Sequence, residues 1–289
     1  MGLKATFESG GFAVLAEMEP PKGVDVAEMV DNARRVKEKV DAFVVPEMSN
    51  AVMRMSSLGG AVVLQSRGME TVMQLNCRDR NRLALQADLL AGAACGVPNV
   101  MAVTGEDPSF GDHHQARAVY DIDLDGLLGA IGRLSEGRDL AGVDLEGAPR
   151  FLVGATVGAG ARDRSPELEI EEMNRKAAAG ARFFITPPVF DLASLSPFMK
   201  RVSRDDVRII PTVVLLKSLG MARYMARNMP HVYIPDELIA RIRGAGDKVR
   251  ECLVIARELI GALKAGGFAG VYVATVGWER QLPAVLETI

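Results

Sequence analysis

Short runs of apolar and β-branched residues alternate along this chain with longer stretches in which apolar residues return every three or four positions. The first pattern is that of strands covered on both faces, the second that of helices with one buried stripe. Strands are predicted at Phe12–Glu17, Ala42–Val45, Thr71–Leu75, Asn99–Thr104, Phe151–Thr156, Phe183–Thr186, Val207–Leu215 and Gly270–Val276. Helices are predicted between them at Val26–Val40, Val52–Ser66, Arg80–Cys95, Leu124–Leu134, Pro166–Ala179, Leu192–Val202, Lys217–Asn228, Pro235–Lys264 and Gln281–Glu287. In Arg80–Cys95, Leu83, Leu85, Leu89, Leu90 and Ala94 fall broadly on one face. Ser165-Pro166-Glu167 reads as a cap, a first-turn proline and a first-turn acid, and Pro235-Asp236-Glu237 opens the longest helix. Alternation of strand and helix implies a parallel sheet. Eight such units in 289 residues predict an α/β protein built as one closed (β/α)8 barrel domain spanning 1–289, rather than an open doubly wound sheet. Ser135–Arg150, the least patterned stretch, is expected to be a surface excursion.

Composition narrows the partners. Hydrophobic residues make up 48% of the chain, enough for a large core, and the formal net charge is −3 with no basic run or basic–aromatic stripe. Nucleic acid and anionic membrane are therefore excluded as expected partners. Cys77, Cys95 and Cys252 are far apart and lack metal-ligand spacing, which predicts neither disulfides nor structural zinc. No segment has the length of apolar sequence needed for a signal or a membrane span, and Gly2 with Thr6 leads only into an ordinary strand, so a soluble cytoplasmic protein is expected.

In such barrels the chemistry sits at the C-terminal ends of the strands. Met73–Asp125 sends two polar loops from one edge of the sheet. Glu17 follows an apolar run and precedes Met18-Glu19-Pro20-Pro21. At a barrel mouth it reads either as a general acid with a pKa raised by burial or as a rim carboxylate paired with a cation such as Lys22. Thr104-Gly105-Glu106 allows close approach to a flat ligand beside a carboxylate, although glycine–acid turns are common. Asp112, His113 and His114 could suggest metal, but adjacent histidines on a loop do not readily both face one ion, which leaves no third ligand, so solvated histidines are expected and no metal. Arg78, Asp79, Arg80 and Arg82 read equally as an anion grip or a charge network; Arg175 and Lys176 read as a solvated basic pair. Gly158-Ala159-Gly160 and Gly244-Ala245-Gly246 lack the third glycine of a dinucleotide fingerprint.

Glu17-x-x-Pro20-Pro21, VMRMSSL at 52–58, CRDRNRLALQADLL from Cys77, Thr104-Gly105-Glu106 followed by Gly111-Asp112-His113, Tyr120-Asp121-Ile122-Asp123, ITPPVFD at 185–191, Ile234-Pro235-Asp236-Glu237-Leu238 and Gly277-Trp278-Glu279 occur in order along nearly the whole chain. Together they resemble methylenetetrahydrofolate reductase, a flavoprotein TIM barrel. The resemblance implies FAD across the strand ends and reduction of 5,10-methylenetetrahydrofolate to 5-methyltetrahydrofolate. It implies Glu17 as the acid that protonates N10, and Glu106 as the charge beside flavin and pterin. It further implies cofactor contacts from Gln74, Asn76, Thr104, Gly105, Glu106, Tyr120, Asp121, Arg175 and Lys176, and substrate contacts from Glu17, Glu106 and the position of Pro187. The electron donor implied is NAD(P)H or, since the chain has no cysteine cluster, an iron–sulfur partner subunit, within a homo- or hetero-oligomer. This chain departs from the family in Glu106 for aspartate, Gln74 for histidine, Pro187 for glutamine and Gly158-Ala159 for Asn-Pro. Those departures leave open a flavin- or pterin-binding barrel subunit with altered or lost folate reduction, or a non-catalytic subunit.

Overall fold

The sequence alternation is realised as a ring. The computed structural model describes residues 2–161, 164–202, 207–229 and 231–287. Its strands are β1 (Ala13–Glu17), β2 (Ala42–Val45), β3 (Thr71–Asn76), β4 (Asn99–Val103), β5 (Leu152–Thr156), β6 (Phe183–Pro188), β7 (Arg208–Val214) and β8 (Gly270–Ala274). They form a closed barrel in chain order with parallel neighbours throughout, β8 returning to β1 with Leu15 opposite Tyr272. The expected α/β class and (β/α)8 barrel are therefore borne out. Strand positions alternate between two buried surroundings. Leu15, Val44, Val72, Met101, Phe183 and Tyr272 belong to one core cluster, while Ala16, Val45, Met73, Ala102 and Val273 belong to another; residues of helices join both.

Those helices are α1 (Leu3–Glu8), α2 (Ala27–Val36), α3 (Ser57–Gln65), α4 (Arg82–Ala94), α5 (Leu124–Ser135), α6 (Pro166–Ala178), α7 (Ser196–Met199), α8 (Leu219–Asn228), α9 (Asp236–Gly244), α10 (Lys248–Ala265) and α11 (Leu282–Val285). Side-chain caps set several starts: Asn81 accepts from the Leu83 and Ala84 amides at 3.1 Å, and Ser165 from Leu168 at 3.3 Å with Pro166 in the first turn. Among the described residues no helix is long and apolar enough to cross a membrane.

Several elements differ from the sequence expectation, among them the predicted helix Leu192–Val202, which is a 3-10 turn at Leu192–Leu195 followed by the four-residue α7. The chain before β1 forms α1, which lies across the N-terminal end of the barrel. Leu3 and Phe7 are buried there, the Phe7 ring lies 6.0 Å from that of Phe183, and the Leu3 amide is held by Glu70 at 2.9 Å. The predicted helix Pro235–Lys264 is two helices, because Ala245 is extended and Asp247 caps a new start through the Arg250 amide at 3.0 Å. The helix predicted from Val52 begins only at Ser57; Met48, Asn50 and Ala51 before it hold left-handed backbone (φ 48, 54 and 56°).

β6 carries an irregularity that its sequence explains. Pro187 and Pro188 have no amide hydrogen for the ladder, and its register shifts between Ile185 and Pro188. Threonine hydroxyls stitch the gap: the Thr212 amide donates to Thr186 Oγ1 at 3.2 Å and the Thr212 hydroxyl to the Thr186 carbonyl at 2.5 Å.

Candidate active site

Glu17 ends β1 two residues beyond Leu15, so its side chain shares the interior face of the barrel. Its carboxyl accepts from the Tyr272 hydroxyl (2.9 Å), the Thr275 hydroxyl (2.9 Å) and the Val276 amide (2.7 Å), all supplied by β8 and the turn after it. Of its two sequence readings, pairing with Lys22 fails, since that ammonium bonds Asp112 instead. Burial raises the pKa of Glu17 despite the three donors, which act to lower it, and Glu279 adds a smaller push upward. Neighbouring Glu19 is raised as well, by burial above all, although Arg54 sits 2.8 Å away. The turn that presents the Val276 amide is strained. Val276 has φ 52°, an uncommon state for a β-branched residue, and Gly277 follows at φ 75°.

The loops after β2, β3 and β4 are built around a buried arginine. Arg78, 2% exposed, pairs with Asp79 at 2.7 Å and donates to the carbonyls of Glu106 (3.2 Å) and Met48 (3.4 Å). Arg80 bonds buried Glu47 at 3.0 Å, which also accepts from the Ser57 amide at 2.9 Å. The charge-network reading of this cluster is thus the one realised. Gly105 adopts φ +87°, and a Cβ there would stand 2.9 Å from the Arg78 Cβ, so only glycine fits. Asp112 joins Lys22 of the first loop to the Met53 amide of the second (2.9 Å) and to His113 (2.8 Å). His113 and Asp112 are therefore loop ties, and no metal-binding group of side chains occurs among the described residues.

The remaining predicted positions fall into two environments. Asn76 is buried with its amide nitrogen bonded to the Glu47 carbonyl (3.2 Å) and Asp79 (2.9 Å), and its oxygen to the Asp79 amide (3.1 Å), so it supports the loop. Gln74 faces the barrel interior, half-buried, with a 3.8 Å contact to Met101 sulfur. Thr104 and Glu106 are exposed; the Tyr120 hydroxyl donates to the Gly105 carbonyl at 3.1 Å. Asp121 is held by Arg82 at 2.8 Å, and Arg175 by Asp125 at 2.9 Å on the exposed helical surface. Glu106, Lys176 and Pro187 come together, lining with Thr156, Arg164 and Glu172 a cleft of about 500 Å³. Lys176 is buried, bonded to the Thr156 carbonyl (2.8 Å) and Glu172 (2.6 Å). Gly158 makes room for buried Glu169: a Cβ would lie 2.5 Å from that carboxylate, which accepts the Gly158 amide.

The sequence did not single out Tyr272, Thr275 or the Val276 amide. The signal that points to them is a polar residue recurring on the interior face of the last strand and just beyond it, the same strand-end position that identified Glu17.

A closed parallel barrel whose mouth holds a buried acid and a polar cleft is an enzyme scaffold of the TIM-barrel kind. The sequence profile of the methylenetetrahydrofolate reductase (MTHFR) family matches residues 3–289, and the chain belongs to that family. An uncharacterized protein from Clostridium thermocellum, described as binding two copies of 5-methyl-5,6,7,8-tetrahydrofolic acid, shares the fold with a TM-score of 0.62 at 14% identity, over 98% of this chain and 95% of that one. EDTA monooxygenase (EmoA) from Chelativorans sp. BNC1 aligns with a TM-score of 0.56 at 12% identity, over 96% and 92%. At these identities the likeness carries the fold. No curated protein sequence matches the chain.

Proposed function

We propose that this protein is an FAD-dependent reductase that converts 5,10-methylenetetrahydrofolate to 5-methyltetrahydrofolate, with Glu17 as general acid. The observation that carries the reading is the Glu17 carboxyl: interior, raised in pKa by burial, and held by Tyr272, Thr275 and Val276 rather than by a cation. A carboxyl so placed holds its proton to higher pH than a solvated glutamate does, the direction a general acid needs. Family membership and the neighbour described as binding a methylated folate supply the substrate class.

The residues present fit a flavin. Thr104 is exposed at the end of β4, Tyr120 stands beside Gly105, and the cleft beyond has the volume of a cofactor site. At its far end Lys176 and Arg164 supply positive charge, now matched by Glu169 and Glu172, so a diphosphate there would displace a carboxylate partner. When bound, the flavin supplies hydride from its reduced N5. Glu17 supplies the proton to substrate N10 that opens the bridging ring, and the Glu106 carboxylate stabilises the cationic one-carbon unit electrostatically. The electron donor is NAD(P)H or an iron–sulfur partner subunit, resolved by following flavin reduction with NADH, NADPH and reduced ferredoxin in parallel.

Glu17→Gln is expected to abolish re-oxidation of the reduced flavin by methylenetetrahydrofolate while flavin reduction by the donor stays within about twofold of wild type. Equal loss of both half-reactions would overturn the acid assignment. A second reading, a flavin- or pterin-binding subunit with altered folate chemistry, is favoured by Pro187, which lines the cleft without a side-chain donor. Bound flavin that ignores methylenetetrahydrofolate would establish it. Under the first reading, Pro187→Gln is expected to tighten folate binding measured by equilibrium titration; unchanged affinity would show that another group has replaced the amide.

A further inference from the structure

We propose that Glu279 is a proton-relay residue that re-protonates Glu17 through the hydroxyl of Thr275. The inference rests on the reading of Glu17 as the acid of folate reduction. Thr275 Oγ1 lies 2.9 Å from Glu17 Oε1 and 2.9 Å from Glu279 Oε1. A threonine hydroxyl has one hydrogen and can donate to only one carboxylate at a time. When it donates to Glu17, its contact with Glu279 is a hydrogen bond only if Glu279 donates in turn. The chain Glu279–Thr275–Glu17 is thus built to hold one acid proton between two carboxyls.

The surroundings favour this route. Thr275 is fully buried, whereas Glu279 is partly exposed in the turn after β8, so the chain links solvent to the interior carboxyl. Under the folate reading, substrate would occupy the mouth side of Glu17 and leave the Thr275 side for proton supply during turnover. Glu17 also faces Tyr272 of β8, whose phenol is pushed well above its ordinary range by burial and the nearby carboxylates and so keeps its proton. Glu19 approaches from the same loop, and behind it stand Arg54, ahead of α3, and Lys217, after β7.

The transfer balances without any redox change. As the Glu17 O–H bond breaks, the N10–H bond forms on the substrate. That transfer spends the one acid proton the chain holds, so Glu279 first takes a proton from a solvent or buffer acid; the Glu279 proton then moves to Thr275 Oγ1 while the Thr275 proton moves to Glu17 Oε1. Thr275 ends as the hydroxyl it began.

The test uses the flavin-loaded enzyme. In Glu279→Gln, a single folate half-reaction starting from protonated Glu17 is expected at the wild-type rate, whereas steady-state turnover falls about tenfold or more and recovers with added formic acid buffer, in keeping with the scale of acid catalysis. Thr275→Val should reproduce the defect and Thr275→Ser reverse it. Wild-type steady-state turnover in Glu279→Gln without buffer dependence would overturn the relay. An independent readout is infrared titration without substrate, in which a carboxylic-acid carbonyl band must be altered by both Glu17→Gln and Glu279→Gln; a band insensitive to Glu279→Gln also overturns it. If that band behaves as expected but methylenetetrahydrofolate does not oxidise the flavin, the proton chain stands and the folate reading fails. If folate reduction proceeds but is indifferent to Glu279, the folate reading stands and the relay fails.

Discussion

Three hydrogen-bond donors on one carboxyl would ordinarily favour its ionised form, yet burial dominates at Glu17 and its pKa rises above the ordinary 4.5. Between the unfolded value and the folded one, the native state binds more protons than the unfolded chain, so stability falls as pH rises through that window. Glu17→Gln removes the ionisation and is expected to be more stable than wild type at neutral pH, the gap closing as pH falls toward 4.5. Denaturant unfolding across a pH series checks this, and a gap independent of pH would show that Glu17 is not shifted. Glu17 was legible in the sequence because an apolar run and a Pro-Pro pair bracket it. Its partners were not: Tyr272 and Thr275 stand 255 and 258 residues away in sequence and meet it only because β8 closes onto β1.

At the scale of elements, the sequence located every strand of the barrel, since a buried parallel strand is written as a continuous apolar run. What it missed follows from length and from local competition. α1 has six residues, too few to show helical periodicity, and its stability comes from packing onto the barrel end. The α9–α10 break lies where two glycines weaken the helix and Asp247 offers a better start. In α6, Glu172 neutralises both Lys176 and Arg164 in the cleft. Glu172→Gln is therefore expected to tighten FAD binding, by roughly tenfold, as a competing like charge is removed. Fluorescence quenching of FAD on titration with flavin-free protein measures it; weaker binding would mean that Glu172 positions Lys176 rather than competing for it. Lys176 rose above a solvated-face reading only through the family resemblance, because no local pattern reveals that the helix buries it.

For the whole molecule, closure makes one core of distant segments. Phe7, 6% exposed, packs with Ala13, Leu15 and Phe183 at the barrel end opposite the mouth. Phe7→Ala is expected to lower unfolding free energy by about 3 kcal/mol, the usual cost of an unfilled aromatic site, with folate affinity unchanged because Phe7 lies far from Glu17 along the barrel axis. Chemical denaturation paired with ligand titration checks both halves, and a loss of affinity equal to the loss of stability would show the two ends to be coupled. The stoppered end also governs traffic. With α1 across the floor, a reactant bound beside Glu17 arrives and departs through the doorway at the strand ends. Under the reductase reading with NAD(P)H as donor, the donor and the folate would have to queue for the same opening, and a large excess of either is expected to become a brake on the other's turn.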